Sequence, residues 1–111
     1  MELSTSTIGD VVVVSLKGRI DANTALEVEQ KLNSLILEGH CSLIADMRET
    51  SYVASAGLKA LLVARKETKR KNGELKLAEL QPQVTEILDI TGFTRLFKIY
   101  SCVEEAIESF K

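Results

Sequence analysis

The chain has 111 residues, a formal net charge of −2, 45% hydrophobic and 27% charged residues, which fits a single globular domain over residues 1–111 with one main core. The balanced charge excludes strong attraction to nucleic acid or to an anionic membrane surface. One histidine, His40, no tryptophan, and two cysteines far apart, Cys41 and Cys102, exclude a multi-histidine metal site, a histidine-based triad and a disulfide framework.

No apolar run reaches the roughly 18 residues of a membrane span. The first ten residues lack a basic segment followed by an apolar one, so a signal peptide is not expected and a cytoplasmic protein is. Cys41 and Cys102 read as small buried hydrophobes.

Glu2 to Ile8 reads as a Ser- and Thr-rich strand, and Gly9-Asp10 as a tight hairpin turn. Val11 to Leu16 is continuous and mostly β-branched, the pattern of a strand covered on both faces. Ala25, Val28, Leu32, Leu35 and Ile36 recur at helical spacing. Thr24 with Glu27 predicts a capping box, with Asp21 as a cap one turn earlier the other reading. Gly39 closes that helix.

Cys41 to Asp46 is the next strand, with Asp46 at its carboxyl end. Met47 to Tyr52 reads as a polar loop. Leu58, Leu61, Leu62 and Arg65 predict a helix starting near Ser55. Its last turn carries Lys66, Lys69, Arg70 and Lys71 before Asn72-Gly73, cations that complement the helix dipole. A phosphate-binding patch is the other reading of that cluster. Glu74 to Ala78 is a fourth strand, and Pro82, Val84, Ile87, Leu88 and Gly92 mark a third helix. Phe97 to Tyr100 is a fifth strand, and Val103, Ala106, Ile107 and Phe110 a final helix. The order β-β-α-β-α-β-α-β-α predicts an α/β domain with about four helices. Its central sheet is mostly parallel, with one antiparallel N-terminal strand.

Function in such sheets gathers beyond the carboxyl ends of the strands. Two segments fall there, Gly18 to Thr24 and Asp46 to Gly57, and adjacent strands would bring them side by side. In the second, Ser55 stands between Ala54 and Ala56-Gly57 at a helix start. Small neighbours leave its hydroxyl accessible, and free backbone N–H groups and the dipole favour an anion there. Ser is equally a preferred N-cap. A nucleophilic role is disfavoured: His40 follows the first helix and belongs to the other end of the sheet. No glycine precedes Ser55 by two positions, and Lys59 sits where a surface lysine is solvated. Asp46 resembles the phospho-accepting aspartate of response regulators, without the acidic cluster that holds their metal.

Three stretches together carry a family likeness. Leu16-Lys17-Gly18-Arg19-Ile20-Asp21-Ala22-Asn23-Thr24-Ala25 is the first. Ile44-Ala45-Asp46-Met47-Arg48 with Tyr52-Val53-Ala54-Ser55-Ala56-Gly57-Leu58 is the second. Ile87-Leu88-Asp89-Ile90-Thr91-Gly92-Phe93, Phe97-Lys98-Ile99-Tyr100 and Glu104-Glu105-Ala106 form the third. In order and spacing they cover nearly the whole chain, which resembles the STAS domain family of bacterial anti-sigma factor antagonists and of sulfate-transporter domains. The resemblance implies that Ser55 is the phosphorylation site. It also implies that Asp21, Asn23, Ala54, Ala56, Gly57 and Leu58 belong to a partner-binding surface. The implied partners are an anti-sigma factor with serine kinase activity and a serine phosphatase, with no direct nucleic-acid contact, no membrane span, no cofactor and no enzymatic activity. The sequence departs from the family pattern at Ala54, where an Asp is usual, and at Arg48, where a Ser is common. A STAS adaptor subunit of a membrane transport complex is the alternative role, and nucleotide or lipid binding between the Asp21 and Ser55 loops a third.

Overall fold

The sheet is built outward from one long strand. The computed structural model describes residues 1–111. Its elements are β1 (Glu2–Ile8), β2 (Val11–Ile20), α1 (Ala25–Leu37), β3 (Ser42–Asp46), β4 (Thr50–Val53), α2 (Ser55–Arg70), β5 (Glu74–Ala78), α3 (Pro82–Thr91), β6 (Ile99–Tyr100) and α4 (Val103–Glu108). A single 3-10 turn, Phe93–Arg95, links α3 to β6. The strands run in the order β1-β2-β3-β5-β6, with β4 pairing the far end of β2. Only β1 is antiparallel, paired Ile8 to Val11 across the Gly9-Asp10 turn. Gly9 takes φ 61 there, the first-position glycine of a type II′ hairpin.

β2 holds two partners in succession. Val12 to Ser15 pair with β3, and Gly18 to Ile20 pair with β4 across a register shift at Gly18/Arg19. Gly18 supplies φ 120 at this bulge, a value a side chain opposes. The alternation of β2 feeds two cores. Val12, Val14 and Leu16 join the main core under α1, α2 and α3. Val11 and Val13 join a smaller one with Ile44, Ala78, Val103 and Ala106 under α4.

The structure corrects several expectations. Met47–Tyr52 is not a polar loop throughout. Met47 and Thr50 are fully buried, and Thr50 opens a sixth strand, its hydroxyl donating to Leu16 O at 2.7 Å. The last strand is shorter than expected, two residues instead of four. No Thr24–Glu27 capping box forms: Thr24 Oγ1 donates to Arg19 O at 2.6 Å and Glu27 faces the Met1 ammonium at 3.8 Å. Cys41 and Cys102 are free thiols and only half-buried. The basic end of α2 meets carboxylates, with Lys69 3.4 Å and Arg65 3.8 Å from Glu74, and Arg70 2.9 Å from Glu67.

The turn after α2 also differs. The left-handed residue is Asn72, φ 64, while Gly73 is needed for closeness. A Cβ at Gly73 would lie 2.1 Å from the Cys41 carbonyl oxygen, the group that accepts Glu74 N–H at 2.9 Å. Gly73→Ala is expected to cost about 1–3 kcal/mol by overpacking, seen as a melting temperature lower by several degrees. An unchanged melt would show that the Cys41 segment moves aside freely.

Candidate functional site

The two loops at the carboxyl end of the sheet are joined through backbone. Arg19 and Ile20 of β2 pair with Tyr52 and Val53 of β4. The ladder continues one step further, Ala54 N–H donating to Ile20 O at 2.8 Å. That bond fixes Ala54 in extended conformation, φ −89 and ψ 176, as the N-cap of α2. Ser55 is therefore the first helical residue and not the cap, so its side chain cannot close the helix end. It is exposed, and no side chain satisfies the N–H groups of the first turn. The open N–H groups and the dipole leave a positive end beside a free hydroxyl.

Asp21 lies next to this end, because Ile20 is bonded to Ala54. Its carboxylate, 30% exposed, accepts Asn23 N–H at 3.0 Å, and its backbone carbonyl accepts Ala25 N–H at 2.8 Å. Asp21 thus turns the chain toward α1, whose N-cap position is Thr24, with no side chain capping the helix. Asn23 is exposed in the same loop, and Ala54 and Ala56 are half-buried around Ser55. Gly57 and Leu58 turn inward. Leu58 is 4% exposed, so helical spacing makes it a core residue that positions the site and not a surface that faces a partner. A Cβ on Gly57 would meet Ile20 Cγ2 at 2.5 Å and Ile20 O at 3.0 Å, so glycine lets α2 settle against β2.

Sequence reasoning missed two features of this edge. The Arg19 guanidinium stacks over the Tyr52 ring, 4.5 Å from its centroid, and comes 3.9 Å from Asp21. Only the β2–β4 register makes this pair neighbours, and β4 was not foreseen. Arg48 holds the second feature. Its Nε donates to both Asp46 oxygens at 3.1 Å, and its Nη2 donates to Glu79 at 3.2 Å. The hydrogen bond to Asp46 first, then the charges of Asp46 and Glu79, hold Arg48 above its ordinary pKa. Arg48, which stands where the family commonly has a Ser, is thus engaged by the carboxylates of Asp46 at the end of β3 and Glu79 just after β5. Asp46 has no metal-holding companions, and no cluster of metal-ligating residues forms anywhere. None of the four main surface hollows is lined by Asp21, Asn23 or Ser55.

With this geometry in place, the family model of the STAS domain matches residues 2–106. The chain belongs to the STAS domain family. Its relatives include BtrV of Bordetella bronchiseptica, 31% identical over all of this chain and 96% of that protein. The anti-sigma-B factor antagonist of Listeria monocytogenes is 30% identical over 81% of this chain and 79% of its own. Among solved structures, the Bacillus cell fate determinant SpoIIAA in its phosphorylated form superposes with TM-score 0.76 at 20% identity, covering 99% of this chain and 100% of that one. The STAS likeness accounts for the single mixed sheet and four helices. No helix is long and apolar enough to cross a membrane.

Proposed function

We propose that this STAS domain is an anti-sigma factor antagonist, a binding module switched by phosphorylation of Ser55. Unphosphorylated, it binds an anti-sigma factor that is also a serine kinase and so releases a sigma factor. Phosphate on Ser55 ends that binding, and a serine phosphatase restores it. The kinase holds the nucleotide, so the antagonist itself needs no cofactor.

The observation that carries this reading is Ser55 itself. It is exposed at the first position of α2, unused as a cap, between half-buried Ala54 and Ala56. A protein partner can approach the helix end closely because its neighbours are small. Asp21, Asn23 and the Arg19–Tyr52 stack complete the same surface, and Tyr and Arg are residue types that anchor interfaces. The Listeria relative bears the name of an antagonist, which supports the same role here.

Incubation with the serine kinases of the source organism and labelled ATP, followed by mass spectrometry, tests the site. Ser55→Ala is expected to abolish incorporation. Ser51→Ala is expected to leave it intact, because Ser51 lies exposed within β4 and not at the first position of a helix. Equal labelling of the Ser55→Ala protein would refute the assignment.

A further inference from the structure

The sheet ends in two very different edges. β6 is two residues long. β1 has seven residues and pairs only with β2. In a two-residue hairpin the residues flanking the turn, Ile8 and Val11, form a hydrogen-bonded pair, and bonded and non-bonded pairs alternate from there. Glu2, Ser4, Ser6 and Ile8 therefore spend their backbone groups on β2. Leu3, Thr5 and Thr7 direct N–H and C=O outward, into solvent.

Proteins blunt such edges with lysine, proline, bulges or short strands. The segment Leu3-Ser4-Thr5-Ser6-Thr7 contains no charge and no proline, and its register with β2 is unbroken. The only charged residue of β1 is Glu2 at its start, held by Lys17 at 3.7 Å. Ile8 at the other end is 47% exposed.

We propose that β1 is a homodimer interface, two copies pairing β1 against β1 antiparallel about a two-fold axis at Thr5. The strand is complementary to itself in that register, as an isologous contact requires. Thr5 pairs with the partner's Thr5 and Leu3 with the partner's Thr7, so every outward backbone group of the segment finds a partner. Ser4 faces the partner's Ser6, hydroxyl to hydroxyl. Glu2 faces the partner's Ile8, so no like charges meet. Shifting the axis to Ser4 or Ser6 leaves one outward-facing residue of each edge without a partner in the strand, and shifting it to Leu3 or Thr7 leaves two. The two sheets become one, and Ser55 stays free in both copies because it lies outside the pair. The interface does not rest on the phosphorylation proposal.

Sedimentation equilibrium over a wide concentration range tests it. The wild-type chain is expected to show a monomer–dimer equilibrium. Thr5→Lys and Thr5→Glu, at an exposed position, each set like charges face to face at the axis. Each is expected to weaken dimerisation by more than about tenfold while keeping the native circular dichroism. An equimolar mixture of T5K and T5E is expected to dimerise again. Ser55→Asp is expected to leave the equilibrium unchanged. A wild-type monomer at every concentration, dimers indifferent to both substitutions, or a mixture that stays monomeric would each overturn the proposal.

Discussion

Phosphorylated Ser55 is expected to keep the native fold and its cooperative melt while losing the anti-sigma partner by about a hundredfold or more in affinity. The phosphate adds about −1.5 to −2 charges at neutral pH. At the first position of α2 it meets open N–H groups and the positive dipole end, a favourable term of roughly 0.3–1 kcal/mol. Asp21, one backbone step away through the Ile20–Ala54 bond, opposes it with like charge. Both terms are small and of opposite sign, and no core contact depends on the Ser55 hydroxyl. Domain stability should therefore move by less than about 1 kcal/mol.

The partner surface has no such balance. A protein seated on half-buried Ala54 and Ala56 fits a nearly flat helix end, and a phosphate adds bulk at its centre. A partner that offers an acidic group there also meets like charge, which costs several kcal/mol. Each ~1.4 kcal/mol is tenfold in affinity, so about 3 kcal/mol is enough for the expected loss. Ser55→Asp carries less charge and less bulk, and should reproduce the effect in weaker form. Isothermal titration with the anti-sigma factor, beside a thermal melt, separates the two quantities. Unchanged affinity, or a lost melting transition, would sink the mechanism.

The parts of this fold that can be read in advance are those where period and punctuation agree. β5 runs Glu74–Ala78 as expected, and α3 begins at Pro82 and stops at Gly92 with φ 80. β4 is illegible for a physical reason. Its burial runs buried, exposed, exposed, buried, so strand alternation is missing. Its pairing depends on β2 continuing past a glycine bulge. The candidate site was partly legible: small residues around Ser55 predict an open helix start, and the structure has one. The cap assignment was off by one residue, because a backbone bond to Ile20 and not a side chain makes Ala54 the cap. The Asp46–Arg48–Glu79 set stayed hidden because Glu79 is 31 residues from Arg48 in sequence. Parallel pairing of β3 with β5 brings the ends of these strands together.

The tight seat of α2 leads to a second large effect. Gly57→Ala is expected to destabilise the domain by up to about 2 kcal/mol and to weaken partner binding, although alanine is the better helix former. Replacing an interior helical glycine by alanine gains roughly 1 kcal/mol of propensity. Against that, the new methyl would lie 2.5 Å from Ile20 Cγ2 and 3.0 Å from both Ile20 O and Val53 Cγ1. Ile20 is fully buried and Val53 nearly so. Both are β-branched and stiff at χ1, and Ile20 O is held by Ala54 N–H. Neither neighbour can rotate away, so overpacking of about 1–3 kcal/mol outweighs the propensity gain. Relief has to come from α2 lifting off β2 at its first turn. That motion stretches the Ala54–Ile20 bond and carries Ser55 away from Asp21 and the Arg19–Tyr52 stack. The contrast with Lys59→Ala is diagnostic: Lys59 is exposed on the same helix, and its loss should leave the melt nearly unchanged. Thermal melts of the two variants, with amide chemical shifts at Ile20, Ala54 and Ser55, read the displacement directly. A Gly57→Ala protein at least as stable as wild type, with those shifts unmoved, would show that the site does not depend on the close approach of α2 to β2.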